Sequence, residues 1–153
     1  MNVEQASWPI TEDLSLVRRR VHAFAADAGL CGQRLDDLVL AVNEAVGNVL
    51  EHGGGTGTVT VRADERGVWV DVLDTAADLR AGHLRRRVDG PPPLGGRGFG
   101  LWLVQHVCDE VDIDHPGGNA RLRVLMRHRP ATDSERVREG HERHRARTGD
   151  FLL

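Results

Sequence analysis

From Leu40 to His52 the chain reads Leu-Ala-Val-Asn-Glu-Ala-Val-Gly-Asn-Val-Leu-Glu-His, an apolar helical pattern broken by polar residues at four-residue intervals. Neighbours on a helix lie three and four residues apart, so Glu44, Asn48 and His52 project from one side. The predicted helix runs from about Arg34 to Glu51. Leu35, Leu38, Val39, Val42, Val46 and Val49 form its buried stripe, and Gly53-Gly54-Gly55 end it. Such a helix must lie on a core with one face and can hold a site with the other. A carboxylate and an amide one turn apart can serve a single site, such as a metal-bound phosphate chain. Further along, Gly95-Gly96-Arg97-Gly98-Phe99-Gly100-Leu101 runs from a glycine-rich loop into an apolar helix, where backbone N–H groups can cradle an anion. Together the two segments point to nucleotide binding.

At 153 residues the chain suits one domain with a substantial core. No apolar run approaches the roughly 20 residues that span a bilayer, so membrane insertion is not expected. Met1-Asn2-Val3-Glu4-Gln5 carries no basic segment before an apolar core, and a cytoplasmic protein without a secretory signal is expected. A net charge of −3 and 4% aromatic residues argue against nucleic acid as a direct partner. All 20 basic side chains are arginine, which excludes a P-loop lysine and lysine-nucleophile chemistry. Cys31 and Cys108, far apart in apolar contexts, read as buried free thiols.

Trp8-Pro9-Ile10 reads as a short edge strand. Leu14, Val17, Val21, Phe24, Ala25 and Ala28 then recur at helical spacing until Gly29, with Thr11 or Asp13 as the cap. Thr58–Arg62 and Val68–Val72 alternate with period two around Asp64-Glu65-Arg66-Gly67 and predict an antiparallel hairpin, with Asp74 just beyond it. From Thr75 to Gly98 the chain is irregular, passing Arg85-Arg86-Arg87 and Gly90-Pro91-Pro92-Pro93, a candidate lid. Phe99–Cys108 reads as a helix, and Val111–Asp114 with Arg121–Arg127 as a second hairpin. After Pro130 the apolar stripe vanishes. A domain over residues 1–129 is therefore expected, followed by a charged, disordered or loosely helical tail over 130–153. The order β-α-α-β-β-lid-α-β-β predicts an α+β fold, a two-layer sandwich with helices on one face of a mixed, mainly antiparallel sheet.

With the motifs placed, the chain resembles the GHKL ATPases, the superfamily of gyrase, heat-shock chaperone, histidine kinase and mismatch-repair ATP-binding domains. Within them it looks most like the bacterial anti-sigma-factor serine kinases, over roughly Asp13 to Met126. Glu44 and Asn48 match the Glu-x-x-x-Asn motif of that superfamily. The resemblance implies that the Asn48 side-chain oxygen ligates Mg²⁺ on the ATP phosphates, and that Glu44 orients or deprotonates the attacking hydroxyl. It places Asp74 against the adenine amino group. Gly96, Arg97, Gly98, Phe99 and Gly100 fall in the second glycine box around the phosphates, with Arg97 as a charged donor. The first glycine box, Asp-x-Gly-x-Gly in the family, is Asp74-Thr75-Ala76-Ala77-Asp78 here, so Ala76 and Asp78 replace glycines beside the nucleotide. Gly118-Asn119-Ala120 stands where resembling sequences carry a Gly-Thr pair whose hydroxyl can support the aspartate.

The implied activity is ATP-dependent serine/threonine kinase action on an anti-anti-sigma partner, combined with sequestration of a sigma factor, with a homodimer left open. The altered glycine box sets against it a module of the same fold that regulates by sequestration alone. A detached sensor-kinase domain or a larger chaperone-type ATPase is not expected, for want of a phosphoacceptor helix pair or a transducer domain. His52 reads as a terminal-turn residue at the helix dipole, Trp69 and Trp102 as packing groups, and Arg18, Arg19, Arg20 and Arg85–Arg87 as solvated faces.

Overall fold

The computed structural model describes residues 4–76, 79–80, 83, 91–92, 98–129, 132, 134–138 and 140–141. Its elements follow the predicted order: β1 (Gln5–Pro9), α1 (Leu14–Asp27), α2 (Gly32–His52), β2 (Gly57–Ala63), β3 (Gly67–Asp74), α3 (Phe99–Val107), β4 (Glu110–Asp114) and β5 (Ala120–Arg127). The strands form one sheet in the order β1-β2-β3-β5-β4. Every hydrogen-bonded pair is antiparallel, because β5 lies between β3 and β4 and keeps those two like-directed strands apart. The mixed character expected of the sheet therefore does not extend to any pairing among the described residues. Asp74 is the last residue of β3, not a residue beyond it.

Period-two alternation sets the two faces of the sheet. Val59 and Val61 of β2, Val68, Val70 and Val72 of β3, and Leu122, Val124 and Met126 of β5 point into the core. They meet Val17 and Val21 of α1, Leu38, Val42 and Val46 of α2, and Leu101 and Val104 of α3. The other face carries charge pairs across strands. Arg123 donates to Asp71 through Nε and an Nη, both at 2.7 Å, and Arg121 grips Asp114 in the same forked manner.

Local chemistry explains the helix ends. Asp13 caps α1 by accepting the Leu16 N–H at 3.0 Å, so the cap falls to Asp13 and not to Thr11. The link between α1 and α2 turns on Gly29 and Gly32, both at positive φ. That tight surface link leaves Cys31 exposed at the α2 N-cap, contrary to the expected burial, whereas Cys108 is buried and both thiols are free. Arg34, in the first turn of α2, donates to the Arg127 carbonyl at 2.7 Å and pairs with Asp109, which also accepts the Arg127 N–H at 2.8 Å. This tie fixes the start of α2 against the end of β5. Beyond the domain, residues 134–138 are helical, with Thr132 and Glu135 exchanging capping hydrogen bonds. Residues 140–141 are helical too, while 130–131, 133, 139 and 142–153 of the expected tail lie outside the described residues, as do Gly96, Arg97, Asp78 and Arg85–Arg87.

Candidate functional site

α3 starts where Gly98 takes φ 103°, a left-handed turn that glycine makes without steric cost. The Trp102 N–H bonds the Gly98 carbonyl at 2.9 Å, so the N–H groups of Phe99, Gly100 and Leu101 have no intrahelical acceptor and carry the positive end of the helix dipole. This first turn lies directly on α2. A Cβ added at Gly100 would sit 2.8 Å from Glu44 Oε2 and 3.7 Å from Asn48 Oδ1. Glu44 and Asn48, both half-buried, therefore lie together against the first turn of α3.

Beside this junction lies a cavity of about 330 Å³. Its polar lining includes Asn48, His52, Asp74, His83 and Gly98, and its apolar lining includes Val49, Val72, Leu101 and Leu122. Asp74 is the one buried charged residue among those described, 6% exposed. Its Oδ1 accepts the Gly54 N–H at 2.9 Å and the Ala76 N–H at 3.0 Å, and among the described residues Oδ2 has no hydrogen-bond partner. The Gly53-Gly54 turn that ends α2 lies against this carboxylate, since a Cβ on Gly53 would fall 2.0 Å from Oδ2. A buried carboxylate with one oxygen satisfied and one left open is an acceptor for a ligand N–H. From the Glu44–Asn48 turn to Gly53, α2 rises roughly 10 Å, which separates this acceptor from the N–H groups of α3.

The departures from the glycine-box pattern take on physical meaning here. Ala76 supplies a backbone N–H that holds Asp74, and no non-glycine residue has positive φ among those described, so alanine is unstrained there. Ala120 pairs with Asp74 across β3 and β5 and is 1% exposed. A side-chain hydroxyl is missing at that point, and the two backbone N–H groups hold the carboxylate instead. The Thr56 and Thr75 hydroxyls bond each other at 2.7 Å.

Phe99 turns its ring to Trp102, centroids 5.7 Å apart, and Trp102 stacks on His106 at 5.0 Å. Neither Trp69 nor Trp102 lines the cavity; Trp69 donates its indole N–H to Asp64 and lies under Arg62 and Arg66. His52 lies in the last turn of α2 as expected, and it lines the cavity as well. Leu79 and His83 also line it, and nothing in their local sequence marked them. Among the described residues no three His, Cys, Asp or Glu gather into a metal cluster. The donor set fits a hard cation carried largely on ligand oxygens, with Asn48 Oδ1 as a protein ligand, as Mg²⁺ is with phosphates.

This architecture is a two-layer α/β domain, an antiparallel sheet backed by helices, with a buried acceptor and a helix N-terminus flanking one cavity. The family model described as the histidine kinase-like ATPase domain matches residues 8–127, and the chain belongs to that family, within the GHKL superfamily. The anti-sigma F factor of Clostridium acetobutylicum is 23% identical over 125 residues, covering 76% of this chain and 85% of that protein. The serine-protein kinase RsbW of Listeria monocytogenes is 30% identical over 121 residues, covering 70% and 75% respectively. A crystal structure of the RsbU and RsbW domains of Rv1364c from Mycobacterium tuberculosis superposes with a TM-score of 0.55 at 22% identity. It covers 86% of this chain and 34% of that longer one, and it speaks to the fold alone. No helix among the described residues is long and apolar enough to cross a membrane.

Proposed function

We propose that this chain is an ATP-dependent serine/threonine kinase of the cytoplasm that sequesters a sigma factor and exchanges it as it phosphorylates an anti-anti-sigma antagonist. The observation that carries the reading is the meeting of Glu44 and Asn48 with the first turn of α3 at Gly100, about two helical turns from the open oxygen of Asp74. That separation suits a nucleoside held at its base by Asp74, with its phosphates at α3. The names of the curated relatives, a serine-protein kinase and an anti-sigma factor, support the same reading.

In this proposal Asp74 Oδ2 accepts the adenine amino group while Ala76 and Gly54 hold Oδ1. The N–H groups of α3 take the phosphate oxygens, and Gly96 and Arg97 are assigned the same role from the sequence motif alone. Asn48 Oδ1 would hold Mg²⁺, which when bound would supply charge neutralisation for the phosphates. Glu44 orients the attacking serine or threonine hydroxyl and accepts its proton. All of this chemistry belongs to residues 1–129, with 130–153 a tail outside it. The rival reading, sequestration without phosphoryl transfer, draws on Ala76 in place of glycine. Against it stands the unstrained Ala76 N–H bond to Asp74.

The test mixes the protein, labelled ATP with Mg²⁺, and candidate anti-anti-sigma proteins. Label should pass to the antagonist with wild-type protein and fall by at least about a hundredfold with Glu44→Ala. Transfer that persists unchanged in the variant would remove Glu44 from the mechanism.

A further inference from the structure

The cavity has an outer wall that the glycine-box pattern does not account for. Leu79 lines the cavity and packs partly against the core, and its carbonyl accepts a hydrogen bond from His115 Nε2 at 2.6 Å. His115 belongs to the link between β4 and β5, which is held by the Asp114–Arg121 ion pair on one side of it and by the Asn119 N–H bond to the Pro116 carbonyl on the other. That link leads into Ala120, the strand partner of Asp74. Leu79 therefore stands at the base end of the cavity, pinned from a support tied to the sheet.

The chain just beyond Leu79 is also fastened. The His83 N–H donates to the Arg80 carbonyl at 2.9 Å, and the Arg80 N–H donates to His83 Nδ1 at 2.9 Å. His83 lines the same cavity. Leu79 and His83 thus both line the cavity, and each is tied by a side-chain-to-backbone hydrogen bond.

We propose that His115 is a positioning residue for nucleotide binding: its bond to the Leu79 carbonyl fixes Leu79 as the apolar wall over the base. The inference rests on the nucleotide reading above. It assigns part of the binding affinity to a contact between residues 36 apart in sequence.

Calorimetry with ADP and with Mg-ATP on the full chain tests it, using wild type, His115→Ala, His115→Gln and Leu79→Ala. One exposed hydrogen bond corresponds to about a fivefold loss of affinity in His115→Ala. The loss should be equal for ADP and Mg-ATP, because the wall meets the base and not the terminal phosphate. Glutamine retains a donor, so His115→Gln should recover most of the affinity. Leu79→Ala should lose roughly tenfold from the missing apolar surface. Hydrogen exchange at the Arg80 and His83 amides should quicken in His115→Ala and not in His115→Gln. Wild-type affinity in His115→Ala, or no recovery in His115→Gln, overturns the latch while leaving the nucleotide site intact. A wild-type protein that binds neither ligand overturns the functional reading itself, and the latch with it.

Discussion

Replacing Gly100 by alanine separates fold from chemistry at the centre of the site. The new Cβ would lie 2.8 Å from Glu44 Oε2, so that oxygen must retreat by about 0.6 Å to reach ordinary contact at 3.4 Å. Glu44 is half-buried and the clashing atom is the far end of a flexible side chain, so the retreat costs about 0.5–1.5 kcal/mol of rotamer strain. Alanine offsets this by up to about 1 kcal/mol of helix propensity. The two effects nearly cancel, and Tm should move by no more than about 4 °C. Phosphoryl transfer to an antagonist should nonetheless fall by at least about tenfold, because a positioned proton acceptor contributes roughly 10²–10⁴-fold and the clash displaces it. Paired thermal melts and single-turnover label transfer measure both. A Tm drop beyond about 8 °C would show that Glu44 has nowhere to go. An unchanged rate would show that its position is not used.

Gly53→Ala should behave in the opposite way. Its Cβ would lie 2.0 Å from Asp74 Oδ2, a buried group tied by two N–H donors, so roughly 1–3 kcal/mol of stability should go, read as a lower denaturation midpoint, together with nucleotide binding. Asp74→Asn keeps the acceptor for Gly54 and Ala76 but turns an N–H₂ towards the cavity; melts should barely change while calorimetric affinity for ATP falls by roughly 10- to 100-fold. Burial pushes the Cys108 thiol up to about 12, with the neighbouring Asp109 and Asp37 carboxylates adding to it. The folded state therefore favours the neutral thiol, and its contribution to stability is complete below the ordinary thiol range near 9.0 and lost as pH rises from there towards 12. At pH 8 a thiol reagent should modify Cys31 rapidly and Cys108 only after denaturation.

Elements with a strong local period were legible in the sequence. The valine alternation of β2 and β3 and the apolar stripe of α2 each report which face is buried, and their bounds moved by only one or two residues. The Glu44–Asn48 face was legible for the same reason, since helical geometry alone sets it. Contacts between distant segments were not. The Asp74 carboxylate is held by Gly54, 20 residues away, and Arg34 reaches Asp109 and Arg127 across 75 and 93 residues; no periodicity encodes such pairings. The position of β5 between β3 and β4 is equally non-local, which is why the pairing pattern differed from a mixed sheet. Cys31 looked buried from its apolar neighbours, but two positive-φ glycines carry it around an exposed turn. The His115–Leu79 bond joins residues 36 apart and is likewise set by the fold and by no local pattern.

The central claim is that the α2–α3 junction is a magnesium-dependent ATP site. Calorimetric titration of ATP, with and without Mg²⁺, into wild type and Asn48→Ala tests it most directly. Wild type should bind ATP and bind it more tightly with Mg²⁺, and Asn48→Ala should lose that enhancement while keeping metal-free ATP affinity within a few-fold. No binding by wild type at millimolar ATP, or a magnesium enhancement that survives undiminished in Asn48→Ala, would contradict the account.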